Sequence, residues 1–391
     1  MGLFDRFRGK TVGGVRMMEH TGGSFFAWNG KVYQSDIVRA AIRPYVQAVG
    51  KLVAKHIRET INKDGSLTIV VNPEAYLRFL LEEPNEWMSG QMMQEKLATH
   101  LILNNNAFAV VFRNPDGLPV KIYPVSAANV EAIENKNELS LRFSMRNGSF
   151  LTVPYRDVIH LRRDFNEDDL FGTPLAPALA PLMEIANTTD QGIVKAIKNS
   201  AVIRWLLKFT NSMRPEDQKT QAEQFAQSFL SVDNGTGVAA VDSKADAIQI
   251  KPDSYVPNAA QMEKTTQRIY ALFNTNERIV NSSRSEDEWN AYFDAEIEPV
   301  LLQLQHEFTR KLFSRMQRGF GNRIAFEASS WDSASIATKL NLLQMVDRGA
   351  LTPNEWRATF NLAPLPGGDT PVRRLDTAPT TATNQKGGES A

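Results

Sequence analysis

The stretch that most constrains this chain runs from Ser285 to Met316. Ser285 and Glu288 have the spacing at which a hydroxyl accepts from a backbone N–H three residues on while the acidic side chain reaches back, so a helix starts there. Beyond it Trp289, Phe293, Ile297, Val300, Leu304, Phe308, Leu312 and Met316 recur every three or four residues, which predicts one long amphipathic helix kinked at Pro299. A shorter helix precedes it. Asn258 and Gln261 start that helix near Ala259, and Met262, Thr266, Ile269 and Phe273 give it a single narrow apolar stripe. The polar loop from Asn274 to Ser285, carrying Arg278 and Arg284, joins the two. A thin-striped helix, a polar loop and a rich-striped helix predict a lever that reaches out of a packed body.

Upstream, the chain reads as α+β. Ser35 to Ile57 has helical periodicity, interrupted early by Pro44. Leu67 to Val71 reads as a strand, Tyr76 to Leu80 as a short helix ending at Pro84 and Asn85, and Ser89 as the cap of a helix with Met92, Met93, Leu97, His100 and Leu101 on its face. Phe108 to Phe112 and Val120 to Tyr123 flank an Asn-Pro-Asp-Gly turn, and Leu139 to Met145 and Phe150 to Val153 flank an Asn-Gly turn, so two hairpins are expected before the strand Val158 to Leu161. Thr173 and Pro174 start a helix running to Asn199. After it come a strand (Val202 to Phe209), a Gln-rich helix (Pro215 to Leu230) and a hairpin of Val238 to Val241 with Ala247 to Ile250. Residues 201–252 thus form a small β-α-β-β unit carried between two helices, as an insertion. Near the end come a strand at Ile324 to Phe326 and a helical run through Ile336, Leu340, Leu343 and Val346 to Arg348. Thr352, Pro353 and Glu355 then form a capping box opening a helix to Asn361. Pro, Gly, Thr and Ala dominate from Pro364, so Thr370 to Ala391 is read as a disordered tail.

Composition narrows the function classes. Lys and Arg total 44, as do Asp and Glu, so the formal net charge is zero and a broad basic nucleic-acid surface is not expected. There is no cysteine, which removes disulfides and thiolate chemistry together, and no apolar run is long enough to span a membrane. Met1 to Lys10 lacks a signal-peptide core and reads as a flexible or partner-docking terminus. Catalytic signatures are sparse: no P-loop, no G-x-S-x-G elbow and no paired-His zinc motif occurs, and His20, His56, His100, His160 and His306 stand singly and read as structural. Asp164, Glu167, Asp168 and Asp169 form an acidic loop, which raises a metal-dependent enzyme as one reading, but its spacing fits no EF-hand and a solvated loop is the simpler one. No cofactor is expected.

The order of several short motifs carries a resemblance. Glu83-Pro84-Asn85, Asn106-Ala107-Phe108, Tyr123-Pro124, Asp157-Val158-Ile159-His160 and Phe171-Gly172-Thr173-Pro174-Leu175 are followed by Pro299 within Glu296 to Leu302, by Thr352, Asn354, Glu355 and Arg357, and by Gly367-Gly368-Asp369. In this order and spacing, from about Val38 to Asp369, the chain resembles the HK97-type portal proteins of tailed bacteriophages. Asn105 stands where that family often has Gly, and Asn274 to Val280 is shorter than the family's Val-Pro-containing stretch.

The resemblance implies a portal fold: an α+β wing (31–173), two stem helices (174–200 and 253–273), a small clip insertion (201–252), a tunnel loop (274–285), a wing helix and strand (286–330) and a helical crown (331–365), with residues 1–30 and 366–391 as flexible ends. It implies a homo-oligomeric ring of about twelve copies at the portal vertex of a virion, assembled in the host cytoplasm, through which double-stranded DNA is packaged and ejected. Its expected partners are the terminase large subunit, a head-completion or tail adaptor protein, the major capsid protein and the DNA, with no membrane. Asn276, Arg278, Asn281, Ser283 and Arg284 are the candidate DNA-channel residues; Arg204, Lys208, Asp233, Asn234 and Lys244 are the candidate terminase and adaptor contacts. Arg278 or Arg284 repeated in every copy would make a charged collar from a neutral chain. A portal-like ring of a defective prophage or gene-transfer particle is the alternative within the same family.

Overall fold

The computed structural model describes residues 10–16, 32–65, 67–135, 138–166, 168–200, 204–209, 214–229, 245–250, 259–327, 340, 343–358, 360 and 362–372. They fall into two compact units, residues 1–180 with 269–391, and residues 181–268.

The first unit is built around a helix that is apolar on most sides. α1 (Asp36–Gly50) starts where Ser35 Oγ accepts from the Val38 N–H, and buries Val38, Ala41, Ile42, Tyr45 and Val49 despite the internal Pro44. It packs on α3 (Gly90–Asn104), capped by Ser89, which buries Met93, Leu97, Ala98, Leu101, Ile102 and Leu103 and so shows no single dry face. Two sheets lie beside it. One has strand order β5-β4-β9, from β4 (Asn106–Arg113), β5 (Pro119–Pro124) and β9 (Val158–Arg162). The other has the order β1-β6-β7-β8, from β1 (Lys10–Arg16), β6 (Asn129–Asn135), β7 (Glu138–Ser144) and β8 (Phe150–Pro154). Alternate residues of the two sheets share one core: Phe108, Val110 and Val158 from the first, Val130, Ala132, Leu141, Phe143 and Val153 from the second. Phe108 meets Phe143 edge-on at 5.5 Å, and burying each such ring contributes about 1.5–3 kcal/mol.

A third sheet, β12-β2-β3, joins β2 (Val53–Ile61), β3 (Leu67–Val71) and β12 (Asn322–Glu327). It corrects the helix expected to Ile57. α1 stops at Gly50, and Val53–Ile61 is extended because its backbone is paired on both sides, Ile57 opposite Arg323 and Val71. Leu52 and Ile57 keep helical spacing but are buried from a turn and a strand. α2 (Ala75–Glu82) buries Leu77, Leu80 and Leu81 and leaves Phe79 exposed, and Met92, expected on the dry face of α3, is exposed as well. β1 and β6 escaped the sequence reading; β6 lies between β1 and β7, so its Asn and Glu residues alternate with buried Val130 and Ala132.

The long C-terminal helix is present, in parts. α8 (Glu286–Tyr292) passes through a π turn at Phe293–Ile297 into α9 (Glu298–Leu312), and the π turn falls just before Pro299, whose ring nitrogen has no hydrogen to donate to the ladder. Val300, Leu304, Phe308 and Leu312 are buried where α9 packs on β12 and β9. The stripe ends there: Phe313 is extended, and Met316 belongs to the separate turn α10 (Arg315–Gly319), where it is 71% exposed. The short helices Leu343–Asp347 and Pro353–Ala358 follow, the second opened by the expected reciprocal bonds of Thr352 and Glu355. Ile336 and residues 373–391 lie outside the described residues.

α4 (Ala176–Ser200), which enters the second unit at Pro181, is one continuous helix with that proline inside it and begins two residues after Pro174. β10 (Arg204–Phe209) pairs antiparallel with β11 (Ala245–Ile250), from Arg204 opposite Ile250 to Phe209 opposite Ala245. α5 (Pro215–Phe229) lies between them in sequence, and α6 (Ala259–Leu272) follows. The hairpin strand expected at 238–241 and the cap Asn258 lie outside the described residues.

Candidate functional site

The loop between α6 and α8 is more ordered than a polar connector. Asn276 Oδ1 accepts from the Ile279 N–H and starts the helical turn α7 (Glu277–Val280), whose Ile279 is buried and whose residues pack on α1. Arg278 reaches the Glu288 carboxylate, whose other oxygen accepts from the Ser285 N–H at 2.8 Å as Ser285 Oγ accepts from Glu288 N–H. These bonds, the Ser285 backbone first and Arg278 with them, hold the Glu288 carboxyl below its ordinary pKa. Arg284 sits over the Trp289 ring at 3.9 Å. Ser283 donates to the Arg278 carbonyl from its N–H at 2.9 Å, and Asn281 caps the same turn. The five loop residues singled out in the sequence are thus brought together, and both arginines already have a partner within the chain.

The start of the loop is tied to the body by a buried polar cluster. Glu296, 6% exposed and set in the π turn, accepts from Arg163 at 2.8 Å and from Asn274 Nδ2 at 2.7 Å. Tyr45, fully buried on α1, lies under the Arg163 guanidinium, and burial drives its phenol pKa upward. Burial likewise raises that of Tyr292. No sequence reading found this cluster. Its one visible signal is a glutamate beside Ile297 on the apolar side of the long helix.

A groove of about 1180 Å³ lies beside the loop, lined by Arg43 and Gln47 of α1, by Lys51 just after it, and by Ser282, Arg284 and Trp289. Three cations, Arg43, Lys51 and Arg284, stand there against Glu82 and Glu286. Such a rim can hold a polyanion loosely. The remaining sequence candidates lie elsewhere. Arg204 and Lys208 are on β10, opposite Ile250 and Asp246; Asp233, Asn234 and Lys244 lie outside the described residues.

The described carboxylates of the acidic loop accept hydrogen bonds within the chain. Asp168 Oδ1 accepts from the Leu170 and Phe171 N–H groups, Asp164 Oδ2 accepts from Asn105, and Glu167 lies outside the described residues. Among the described residues no group of three or more His, Asp or Glu side chains could hold a metal ion. His160 is buried, and burial with the charges of Arg162, Lys311 and Arg310 lowers its pKa to about 3. Burial also lowers that of His56, which meets Asn322 at 3.0 Å. Both are structural.

The short motifs that carry the family likeness turn out to be hydrogen-bond staples. Asn106 Oδ1 accepts from the Gly172 N–H at 2.8 Å and meets His160 Nε2 at 3.1 Å, while Asn106 Nδ2 donates to the Gly172 carbonyl. Three motifs distant in sequence therefore close one knot, with Phe108 stacked on His160. A Cβ on Gly172 would stand 2.3 Å from the carbonyl oxygens of both Arg163 and Asn105. Asn105 takes φ +55°, the left-handed conformation glycine adopts freely, and its amide donates to Thr173 O. Asn85 donates to Ile122 O, and Pro84 O accepts from Ile122 N–H, covering the edge of β5. Asn354 binds Leu365 and Asp369 across the Gly367-Gly368-Asp369 turn.

Comparison with known proteins agrees with this pattern. The portal protein of Enterobacteria phage HK97 is 23% identical over 326 residues, 79% of this chain and 74% of that protein. A probable portal protein of Lactococcus phage p2 is 23% identical over 184 residues, 44% of this chain and 49% of that one. Among solved structures, a chain from the neck of a native gene transfer agent particle computed with C12 symmetry has a TM-score of 0.63 at 12% identity, covering 93% of this chain and 98% of that one. An HK97 family portal protein from Corynebacterium diphtheriae has a TM-score of 0.52 at 11% identity, covering 81% and 99%. The shared fold, with the staples at the motif positions and a match to the family described as phage portal protein over residues 36–361, makes this chain a member of the phage portal protein family.

Proposed function

We propose that copies of this chain form a ring of about twelve at one capsid vertex, a conduit for double-stranded DNA during packaging and ejection. The observation that carries this reading is the family match over residues 36–361. In the ring, 31–173 and 286–330 are the wing, 174–200 and 253–273 the stem, 201–252 the clip and 331–365 the crown. The clip, with Arg204, Lys208, Asp233, Asn234 and Lys244, receives the terminase large subunit and later a head-completion or tail adaptor, while the wing meets the major capsid protein. Loop 274–285 faces the DNA. Two features support weak holding there. Arg278 is paired with Glu288, which leaves Arg284 on Trp289 as the less compensated cation, and Asn276, Asn281 and Ser283 are neutral. DNA that must slide is best served by sparse contacts. The chain works by shape and assembly, with no reaction of its own.

The gene transfer agent necks and virion among the similar structures favour a second reading, the same ring in a gene-transfer particle. The deciding experiment for the ring is the solution mass of the purified chain, followed by electron microscopy. A closed ring of about 530 kDa, twelve times the 43.8 kDa chain, is expected. A monomer that no concentration or capsid partner converts to a ring would overturn the proposal.

A further inference from the structure

A second cleft, of about 610 Å³, lies in the first unit between the turn of the β4–β5 hairpin and the end of α9. Its charge is one-sided. Arg113, Arg156, Arg310, Lys311, Arg315 and Arg318 line it, against Asp116 and Asp157. The sequence accounts for the bias, since Phe308 to Phe326 contains five cationic residues and no acidic one. Arg113 is spent on Asp157 and on the Lys311 carbonyl, Arg156 lies near Asp157, and Arg310 pairs with Glu307. Among the described residues neither Arg315 nor Arg318 has an acidic partner, and both are exposed on α10.

Lys311 adds a buried cation to the lining. It is 5% exposed, donates to the Tyr155 carbonyl and lies 3.9 Å from the Tyr155 ring, with no carboxylate in contact. Burial lowers its pKa to about 8, with Glu307 working against the shift, so it still carries a proton at neutral pH. A buried lysine whose polar partners are a carbonyl and a ring is a site where an incoming anion gains most. Next to the cations the surface is apolar: Met316, 71% exposed, lines the cleft, and Phe320, 69% exposed, follows two residues after Arg318.

We infer that this cleft docks an acidic segment of another protein that also presents a large apolar side chain, the carboxylates meeting Arg315, Arg318 and Lys311 and the apolar group covering Met316. Double-stranded DNA is the rival occupant, and two observations count against it. The phosphate backbone of a duplex offers no large apolar group to cover Met316 and Phe320, and its phosphates lie on a convex cylinder, whereas one of the cations lining this cleft, Lys311, is buried. The proposal concerns this surface on each copy and does not depend on the ring.

The test is fluorescence anisotropy of the full chain with three labelled probes: the peptide Glu-Glu-Asp-Leu-Phe-Glu-Glu-Leu-Glu, the same peptide with Gly and Ser in place of Leu and Phe, and a duplex of about 20 base pairs. The first peptide should bind, the second about tenfold more weakly, and raising salt from about 50 to about 300 mM should weaken both. Arg315→Glu with Arg318→Glu, at exposed positions on a short turn, should lower affinity for the first peptide at least about tenfold, and Met316→Ser about threefold. Far-UV circular dichroism of each variant establishes that it is folded. Peptide affinity unchanged in the folded double variant overturns the inference. So does a duplex that binds more tightly than the peptide and loses binding in that variant.

Discussion

Replacing Glu296 should loosen the anchor of the loop at a cost that the geometry fixes. Removing one partner of a buried ion pair costs about 3–5 kcal/mol, because the other is left uncompensated. Arg163 keeps 27% of its side chain exposed, which places the loss at the low end. Asn274 loses its acceptor as well, worth about 1–2 kcal/mol. Glu296→Ala should therefore destabilise the chain by about 4 kcal/mol, and Glu296→Gln, which keeps an oxygen for one of the two donors, by about 2 kcal/mol. The informative variant is the double one. Arg163→Met with Glu296→Leu removes both charges and fills the space, so it should cost about 1–2 kcal/mol, less than Glu296→Ala alone. Urea unfolding followed by circular dichroism measures these three variants and the singles Arg163→Met and Glu296→Leu that complete the cycle. A Glu296→Ala cost below about 1 kcal/mol, or single costs that add to within about 0.5 kcal/mol in the double variant, would refute the reasoning.

Two further expectations follow from the knot behind the family motifs. His160 is held neutral with a pKa near about 3, below the ordinary value of about 6.5, so its contribution is fully present above pH 6.5 and is lost as pH falls towards 3. Stability measured in urea should drop by about 3 kcal/mol between pH 7 and pH 4 on this account, and His160→Gln should be weaker at pH 7 but markedly flatter with pH. Gly172→Ala sets a methyl against two carbonyl oxygens and should cost about 3 kcal/mol, whereas Gly192→Ala, in open space on α4, should be neutral or stabilising by up to about 1 kcal/mol; equal thermal midpoints for the two variants would contradict the contact.

What could be read from the sequence was whatever depended on near neighbours in the chain. The capping boxes of Ser285 with Glu288 and of Thr352 with Glu355, the Ser89 cap and the two hairpin turns are local chemistry, and each is present. Val53–Ile57 reads as helix from its apolar spacing, and only β3 and β12, the latter more than 260 residues away, make it part of a strand. β6 is hidden by its polar residues for the same reason. The loop arginines were found, but their partners were not, since Glu288 was seen as a cap and Trp289 as core. The Glu296 cluster joins α1, the residue after β9, the loop and the π turn, and no window of sequence contains it.

The π turn at Phe293–Ile297 sets a phase. An α-helix advances about 100° per residue, and a π turn holds one residue more than a regular turn would. Ahead of it α8 carries the loop, with Ser285, Glu288 and Trp289; behind it Val300, Leu304 and Phe308 are fixed on the sheets. Deleting a single residue here would return the wide turn to regular α geometry and leave the loop on its side of the helix, whereas the same deletion within α9 would swing it about 100° around the helix axis. The wide turn thus takes up a residue that a regular helix would have converted into a rotation of the loop.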